Sequence, residues 1–307
     1  METFIQLIVT GFAFGFLYSL VAIEYTLIYS SCRLINFAHA SAITLGAYFF
    51  GFLFVGKMSL SFWVSAVLSV IVMGLIGTII SIVIYIPLGK IASLYAMLAT
   101  IMFGTAIIEI IHILFTPLPF RVKGFLTKTV KISSATTTEA NIWIICVGAI
   151  VVVLLLLFLH KTKIGKAMRC VAESRDTAEY MGINTNINIS ITVALSYMIC
   201  TIIGILIVPL YSVRTTMVGT MGLKGFAAGI VGSYGSIPGA ILGGILIGLL
   251  ENFAVMVMPA TYKDVTAFAL VLVVLLIKPT GLLGGLDAKR LARIALREQK
   301  EEAVKNG

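Results

Sequence analysis

Three glutamates, Glu24, Glu109 and Glu251, interrupt long apolar stretches of the sequence and are the first candidates for chemistry. A carboxyl group in such surroundings needs a hydrogen-bonding or charged partner, or else serves as a site of proton transfer. Glu109 stands three residues before His112 and shares a helical face with it, which favours a local hydrogen bond over a proton relay. Glu251 lies toward one end of its segment, where its side chain can reach water. Glu24 has no evident local partner.

The other reactive residue types form no motif. No cysteines or histidines have the spacing of a metal site, and no zinc-protease, P-loop or nucleophile-elbow motif occurs. We therefore expect the chain not to be an enzyme and to hold no metal or cofactor of its own. The scattered residues are Cys32, Cys146, Cys170, Cys200, His39, His112 and His160.

Composition places the chain in a membrane. Of its 307 residues, 60% are hydrophobic and only 11% are charged, against roughly 25% charged in a soluble domain. The net charge of +9 comes mainly from loops and the C-terminal tail. Basic residues accumulate in the cytoplasmic loops of membrane proteins, so we expect a lipid bilayer as the surroundings and no nucleic-acid partner. Phe4–Tyr29 is too long for a signal-peptide core and is interpreted as a spanning helix.

The predicted fold is all-α: a polytopic membrane helix bundle of about eight to nine segments, each full crossing needing about 20 apolar residues. The glycine-rich block from Gly222 to Met258 is too long for one crossing and is divided at Ser233–Gly239, where Gly and Pro favour a turn. That division gives a short or re-entrant arm, Leu223–Gly232, and a full helix, Ala240–Met258. The other predicted segments are Phe4–Tyr29, His39–Val55, Phe62–Ile86, Leu94–Phe115, Ile142–Leu159, Ile187–Val213 and Val265–Ile277.

Basic residues also predict the orientation. The polar loop from His160 to Asn186 and the tail 288–307 are both rich in Lys and Arg, which places both in the cytoplasm and the N-terminus outside. The loop 116–140, with four basic residues of its own, would then lie outside, against the trend. Residues 1–287 form a single transmembrane domain with the cytoplasmic loop 160–186, and residues 288–307 form a cytoplasmic tail.

Two polar features have alternative interpretations. Asn36 either caps the helix that follows it or, with His39, lines the inner mouth of a pathway. Glycines spaced four apart in the block from Gly222 favour close helix packing over a mobile, backbone-lined pathway.

The polar loop from His160 to Asn186 reads as a short amphipathic helix ending at Gly182, a favourable residue at a helix C-terminus. Its apolar residues are mostly small and its charges are mixed, which fits a groove in another protein as well as it fits a lipid surface.

The loop also resembles the cytoplasmic coupling loop of permease subunits in binding-protein-dependent ABC importers. More narrowly, the chain resembles LivH-type branched-chain amino acid permeases over nearly its whole length. The segments that carry this resemblance are VAIEYTLIY, INFAHASAITLGAY, KIGKAMRCVAESRDTAEYMGIN, GLKGFAAGIVGSYGSIPGAILGGILIGLLE and YKDVTAFALVLVVLLIKPTGLLG.

The resemblance implies a second homologous permease, two ATPase subunits that hydrolyse ATP, and an extracytoplasmic solute-binding protein in a bacterial or archaeal cell membrane. It places four residues in the helix that docks into an ATPase: Ala172, Glu173, Ala178 and Gly182. It also places Asn36, Phe37 and His39 near the inner mouth of the pathway, and Glu24 is a further pathway or interface candidate.

The sequence departs from that family at Glu24 and Ala40, where small residues or glycine are usual, at Ile86, where a basic residue is usual, and at Glu109, in a region of neutral amides. These departures leave other small solutes, such as urea, amides or other amino acids, as alternative cargo. A proton-coupled secondary transporter using the three glutamates is a second hypothesis, and an intramembrane enzyme is a third.

Overall fold

The computed structural model describes residues 2–89, 91–132 and 135–284, and these fold mainly into helices. Two stretches are π-helical, Phe49–Lys57 and Ser81–Tyr85. Two short strands, β1 (Thr129–Ile132) and β2 (Ala135–Thr138), pair antiparallel. The α-helices are α1 (Glu2–Cys32), α2 (His39–Tyr48), α3 (Phe62–Ile80), α4 (Ile86–Leu88), α5 (Ser93–Leu114), α6 (Glu139–Lys161), α7 (Lys163–Glu173), α8 (Arg175–Tyr180), α9 (Thr185–Ile207), α10 (Gly219–Gly232), α11 (Ile237–Ala254) and α12 (Lys263–Ile277).

Seven helical stretches in the described residues are long and apolar enough to cross a bilayer, which confirms a polytopic helical membrane bundle. The shorter α10 and α12 have 14 and 15 residues, so the count of eight to nine segments stays a prediction. The sixth predicted segment ends early. Helix α9 stops at Ile207 instead of Val213, because Pro209 has no N–H to continue the helix. Val213 instead exchanges backbone hydrogen bonds with Phe120.

Helix α1 is the centre of the bundle and packs against α6, α9, α10 and α11. Its contact with α11 is so close that a Cβ on Gly248 would clash with the backbone of Gly15, and one on Gly244 would clash with Ser19. The predicted packing role of these glycines is therefore confirmed: small residues let the two backbones approach where lipid supplies no hydrophobic driving force.

The glycine-rich block is divided where the sequence predicts. Helix α10 ends at Gly232, and Ser233 (φ 106°) and Gly235 (φ 94°) turn the chain back. Ser236 then caps α11 by accepting from the N–H of Gly239 (3.4 Å). After α12 the chain returns to this turn, where the N–H of Leu282 donates to the carbonyl oxygen of Val231 (2.8 Å).

The end of α1, the 160–186 loop, the α10–α11 turn and residues 278–284 lie at one end of the bundle, called the loop end. Gly235 and Pro238 border a pocket there together with His160 and Arg169. The N-terminus of α6 and the β1–β2 hairpin lie at the opposite end. The tail 288–307 lies outside the described residues.

Candidate functional site

The loop from His160 to Asn186 folds into two helices, so the single helix predicted for it is wrong. Thr162 caps α7, its hydroxyl accepting from the N–H of Gly165 (2.9 Å). The chain then becomes extended at Ser174 (φ −152°, ψ 121°), whose side chain caps α8. A serine side chain satisfies free N–H groups at a helix start and so favours a new helix over a continued one. Gly182, with φ 80°, ends the second helix as predicted.

The four residues assigned to ATPase docking differ in exposure. Ala178 is completely buried and Ala172 is partly buried, whereas Glu173 and Gly182 are exposed. The most exposed large apolar side chains of this loop are the adjacent pair Tyr180 and Met181, which are 91% and 71% exposed. The sequence contains both residues in the predicted helix, but their exposure follows from the fold of the loop, in which the chain turns at Gly182.

Two arginines join this loop to the end of α1. Nη2 of Arg33 donates to the carbonyl oxygen of Ala172 (2.6 Å). In the reverse direction, Nε and Nη2 of Arg175 both donate to the carbonyl oxygen of Ser31, at 3.0 and 2.8 Å. The break at Ser174 and the last turn of α1 are therefore held by charge-assisted hydrogen bonds, which are stronger than neutral ones. We call this pair of contacts the arginine clamp.

Glu24 lies at the centre of a polar cluster inside the bundle and is 1% exposed. Its Oε1 accepts from Oγ of Ser196 on α9 (2.7 Å) and from Nδ2 of Asn36 (3.3 Å). Ser196 is 172 positions away in the chain, which is why no local partner is visible in the sequence. We call Glu24, Asn36 and Ser196 the Glu24 cluster.

Of the other predicted pathway residues, Asn36 belongs to this cluster and His39 is enclosed near it. Asn36 does not cap α2: its Oδ1 accepts from the N–H of Ala38 (3.0 Å), and no side chain in the described part of the chain caps that helix. His39 is 2% exposed and stands edge-on to Tyr25, with ring centroids 4.1 Å apart. Within the described residues, neither nitrogen of His39 has a hydrogen-bond partner. Asn36, Glu24 and His39 thus lie together but are enclosed.

Phe37 lies apart from these three, on an open groove between α2 and α5. The groove has a volume of about 370 Å³, within the range of about 300–1,000 Å³ that is usual for small-molecule sites. We call it the α2–α5 groove. Its lining residues are Phe37, Ser41, Ile101, Gly104, Thr105 and Ile108.

Glu251 does not reach the membrane surface, and that interpretation is wrong. It is 5% exposed, and its two oxygens accept from Nζ of Lys224 (2.8 Å) and from the hydroxyl of Tyr18 (2.9 Å). Lys224 also contacts Asp264 (2.6 Å). The sequence analysis did not identify Lys224, although a lysine within an apolar segment indicates a buried partner. We call Tyr18, Lys224, Glu251 and Asp264 the Lys224 cluster.

Glu109 contacts His112 as their spacing predicts, but Oε2 of the glutamate lies 3.5 Å from Nδ1 of the histidine, longer than a usual hydrogen bond. Unlike the other two glutamates, its side chain is 65% exposed. It continues the line of the groove beyond Thr105 on α5, toward the end of the bundle opposite the loop.

Comparison with known proteins gives one consistent result. Residues 7–275 match the family model described as branched-chain amino acid transport system / permease component. The high-affinity branched-chain amino acid transport system permease protein LivH of Salmonella typhimurium is 31% identical over 94% of this chain and 98% of its own length. BraD of Pseudomonas aeruginosa, with the same description, is 31% identical over the same shares. A probable LivH of Methanocaldococcus jannaschii is 28% identical over 90% of each chain. No solved structure matches significantly.

Proposed function

The chain belongs to the family of permease components of branched-chain amino acid transport systems, and we propose that it forms half of the translocation pathway of an ATP-driven importer. The predicted resemblance is confirmed, and the chain is a multi-pass membrane transport protein, not an enzyme. The cargo we propose is a small amino acid of the branched-chain type. The observation that carries the proposal is the polar loop that projects from an apolar bundle and is clamped to its central helix.

The ATPase contact in this proposal is the projecting pair Tyr180 and Met181, with Ala178 buried behind it and Glu173 and Gly182 at its edges. Two adjacent exposed apolar side chains at the tip of a short helix suit a hydrophobic groove in a partner protein. The loop end then faces the cytoplasm, as its basic residues favour, and a solute-binding protein approaches from the opposite end.

The arginine clamp couples this ATPase contact to the membrane-spanning helices. A force on α8 reaches the last turn of α1 through Arg175, and α1 is tied to α9 and to the start of α2 through the Glu24 cluster. ATPase closure would therefore move these three helices together. An ATPase pair that prefers one arrangement of the loops shifts the population between outward- and inward-open states.

The pathway wall in this proposal is the α2–α5 groove, completed by a second homologous permease. Phe37 lies on the groove surface, whereas Asn36, His39 and Glu24 lie behind it, so we assign these three to support of the wall. The exposed residues of α3 are uniformly apolar and suit lipid. They include Val64, Val67, Ile71, Leu75 and Ile79.

Purification of the tagged chain from its native membrane in mild detergent tests the proposal. We expect a second permease and an ATPase to accompany the unsubstituted chain. The double substitution Tyr180→Ala/Met181→Ala should lose the ATPase and keep the permease.

The matched control is Met258→Ala/Tyr262→Ala, which removes exposed side chains of the same types (50% and 54% exposed) near the opposite end. It should keep both partners. A chain that purifies alone, or an ATPase that stays bound to the Tyr180→Ala/Met181→Ala variant, would contradict the proposal.

A further inference from the structure

The α2–α5 groove leads to a polar patch at the end opposite the loop. Glu109 lies on α5 four residues beyond the groove residue Thr105, on nearly the same helical face. Its neighbours on the exposed side of α5 are apolar, among them Met102, Ile110 and Ile113. An ionisable side chain in a membrane helix is rare and is a candidate for a function in solute passage.

The carboxyl group of Glu109 is held from one side only. Nδ1 of His112 lies 3.5 Å from its Oε2, and Nε2 of the same ring lies 3.3 Å from the hydroxyl oxygen of Thr215. The imidazole is thus fixed between α5 and the segment before α10. Within the described residues, Oε1 of Glu109 accepts no hydrogen bond, and the side chain is 65% exposed beyond the end of the groove.

Positive charge is present at the same end of the bundle. The backbone pair of Phe120 and Val213, at 2.8 and 3.1 Å, brings two loops together. The residues that follow in each loop, Arg121 and Arg214, are both exposed. Arg214 precedes Thr215, the hydrogen-bond partner of His112. This end therefore offers a carboxyl group and guanidinium groups, the complement of a zwitterion.

We propose that Glu109 receives the ammonium group of an α-amino acid at the outer mouth of the groove and so helps to determine specificity. The inference rests on the proposed function, because it requires the groove to face the pathway. A neutral solute, such as an amide or urea, carries no ammonium group and leaves the carboxylate without this partner. Sites built to bind a polar group reject analogues that lack it more strongly than apolar pockets reject a change of size.

The experiment uses the complete importer, purified with its native partners and reconstituted into proteoliposomes, with leucine-loaded binding protein outside and ATP inside. The variant Glu109→Gln should lower the maximal rate of leucine uptake by at least about tenfold, the factor expected for loss of a charge-assisted hydrogen bond. Half-saturation by the loaded binding protein should not change, because that protein selects leucine before the permease meets it.

Two further variants separate charge recognition from structure. Glu109→Asp keeps the charge and should retain uptake within about threefold of the unsubstituted rate, a loss smaller than that of the whole interaction. Glu139→Gln makes the same exchange at the N-terminus of α6, at the same end of the bundle but outside the groove, and should transport normally.

Normal uptake by Glu109→Gln would overturn the inference, as would equal loss in Glu109→Gln and Glu109→Asp. Loss of the second permease from the purified Glu109→Gln complex would also overturn it, since Glu109 would then bind a side chain of that partner. Failure of the proposed function has a different signature: the unsubstituted complex itself would show no ATP-dependent leucine uptake.

Discussion

Glutamate side chains have different surroundings in the interior of the bundle and on its α5 face. Inside, Glu24 and Glu251 are almost fully enclosed, and each accepts two hydrogen bonds from other parts of the chain. On the α5 face, Glu109 is 65% exposed, and its one ion-pair contact among the described residues is with a histidine one helical turn away. The interior acids thus accept hydrogen bonds from distant parts of the chain, whereas the exposed acid contacts a neighbour on its own helix.

The two interior clusters also differ from each other. Glu251 is neutralised by Lys224, which in turn contacts Asp264 and so ties α10, α11 and α12 together. Glu24 is met by the neutral donors Asn36 and Ser196 instead. Removing the cation of a buried ion pair leaves the other charge buried and unpaired, whereas removing one neutral partner leaves a hydrogen bond unmade. Substitution should therefore destabilise the Lys224 cluster more than the Glu24 cluster.

The largest effect is expected at the Lys224 cluster. Lys224→Met leaves Glu251 buried without its cation and should lower the free energy of unfolding by about 3–5 kcal/mol. Thermal unfolding of the detergent-purified chain measures the loss. The double variant Lys224→Met/Glu251→Gln removes the stranded charge and should be more stable than Lys224→Met alone. Equal stability of the two variants would show that the ion pair does not hold these helices.

An intermediate effect is expected at the Glu24 cluster. Glu24→Leu leaves the donors of Asn36 and Ser196 without their acceptor and should cost about 1–3 kcal/mol in the same unfolding measurement. Glu24→Gln keeps a carbonyl oxygen for both donors and should be milder, with ATP-driven uptake preserved. If Glu24→Gln abolished uptake while the chain remained as stable as the original, Glu24 would be a proton site and not a link between helices.

The smallest change in stability is expected on the α5 face. Glu109→Gln should alter the free energy of unfolding by no more than about 0.5 kcal/mol, as is usual for exposed positions, because no buried group loses its partner. This variant is nevertheless the one expected to impair cargo passage. A destabilisation as large as that of Glu24→Leu would show that Glu109, like the buried glutamates, stabilises the fold.

The sequence was sufficient for features that depend on near neighbours. Apolar runs of crossing length predicted the membrane bundle, since only a helix satisfies its own backbone groups in lipid. Gly and Pro at Ser233–Gly239 predicted the break between α10 and α11. The spacing of Glu109 and His112 predicted their contact. The motifs that predicted the family are likewise stretches of consecutive residues.

Only the tertiary structure decided which polar residues meet. Glu24 and Ser196 lie far apart in the chain, and Lys224 reaches Glu251 because α10 and α11 fold back on each other. Helical periodicity states which face a residue occupies, but it does not state which helix covers that face. For that reason only the tertiary structure shows that Glu24 links helices, that Glu251 is half of a buried ion pair and that Glu109 is an exposed carboxyl group.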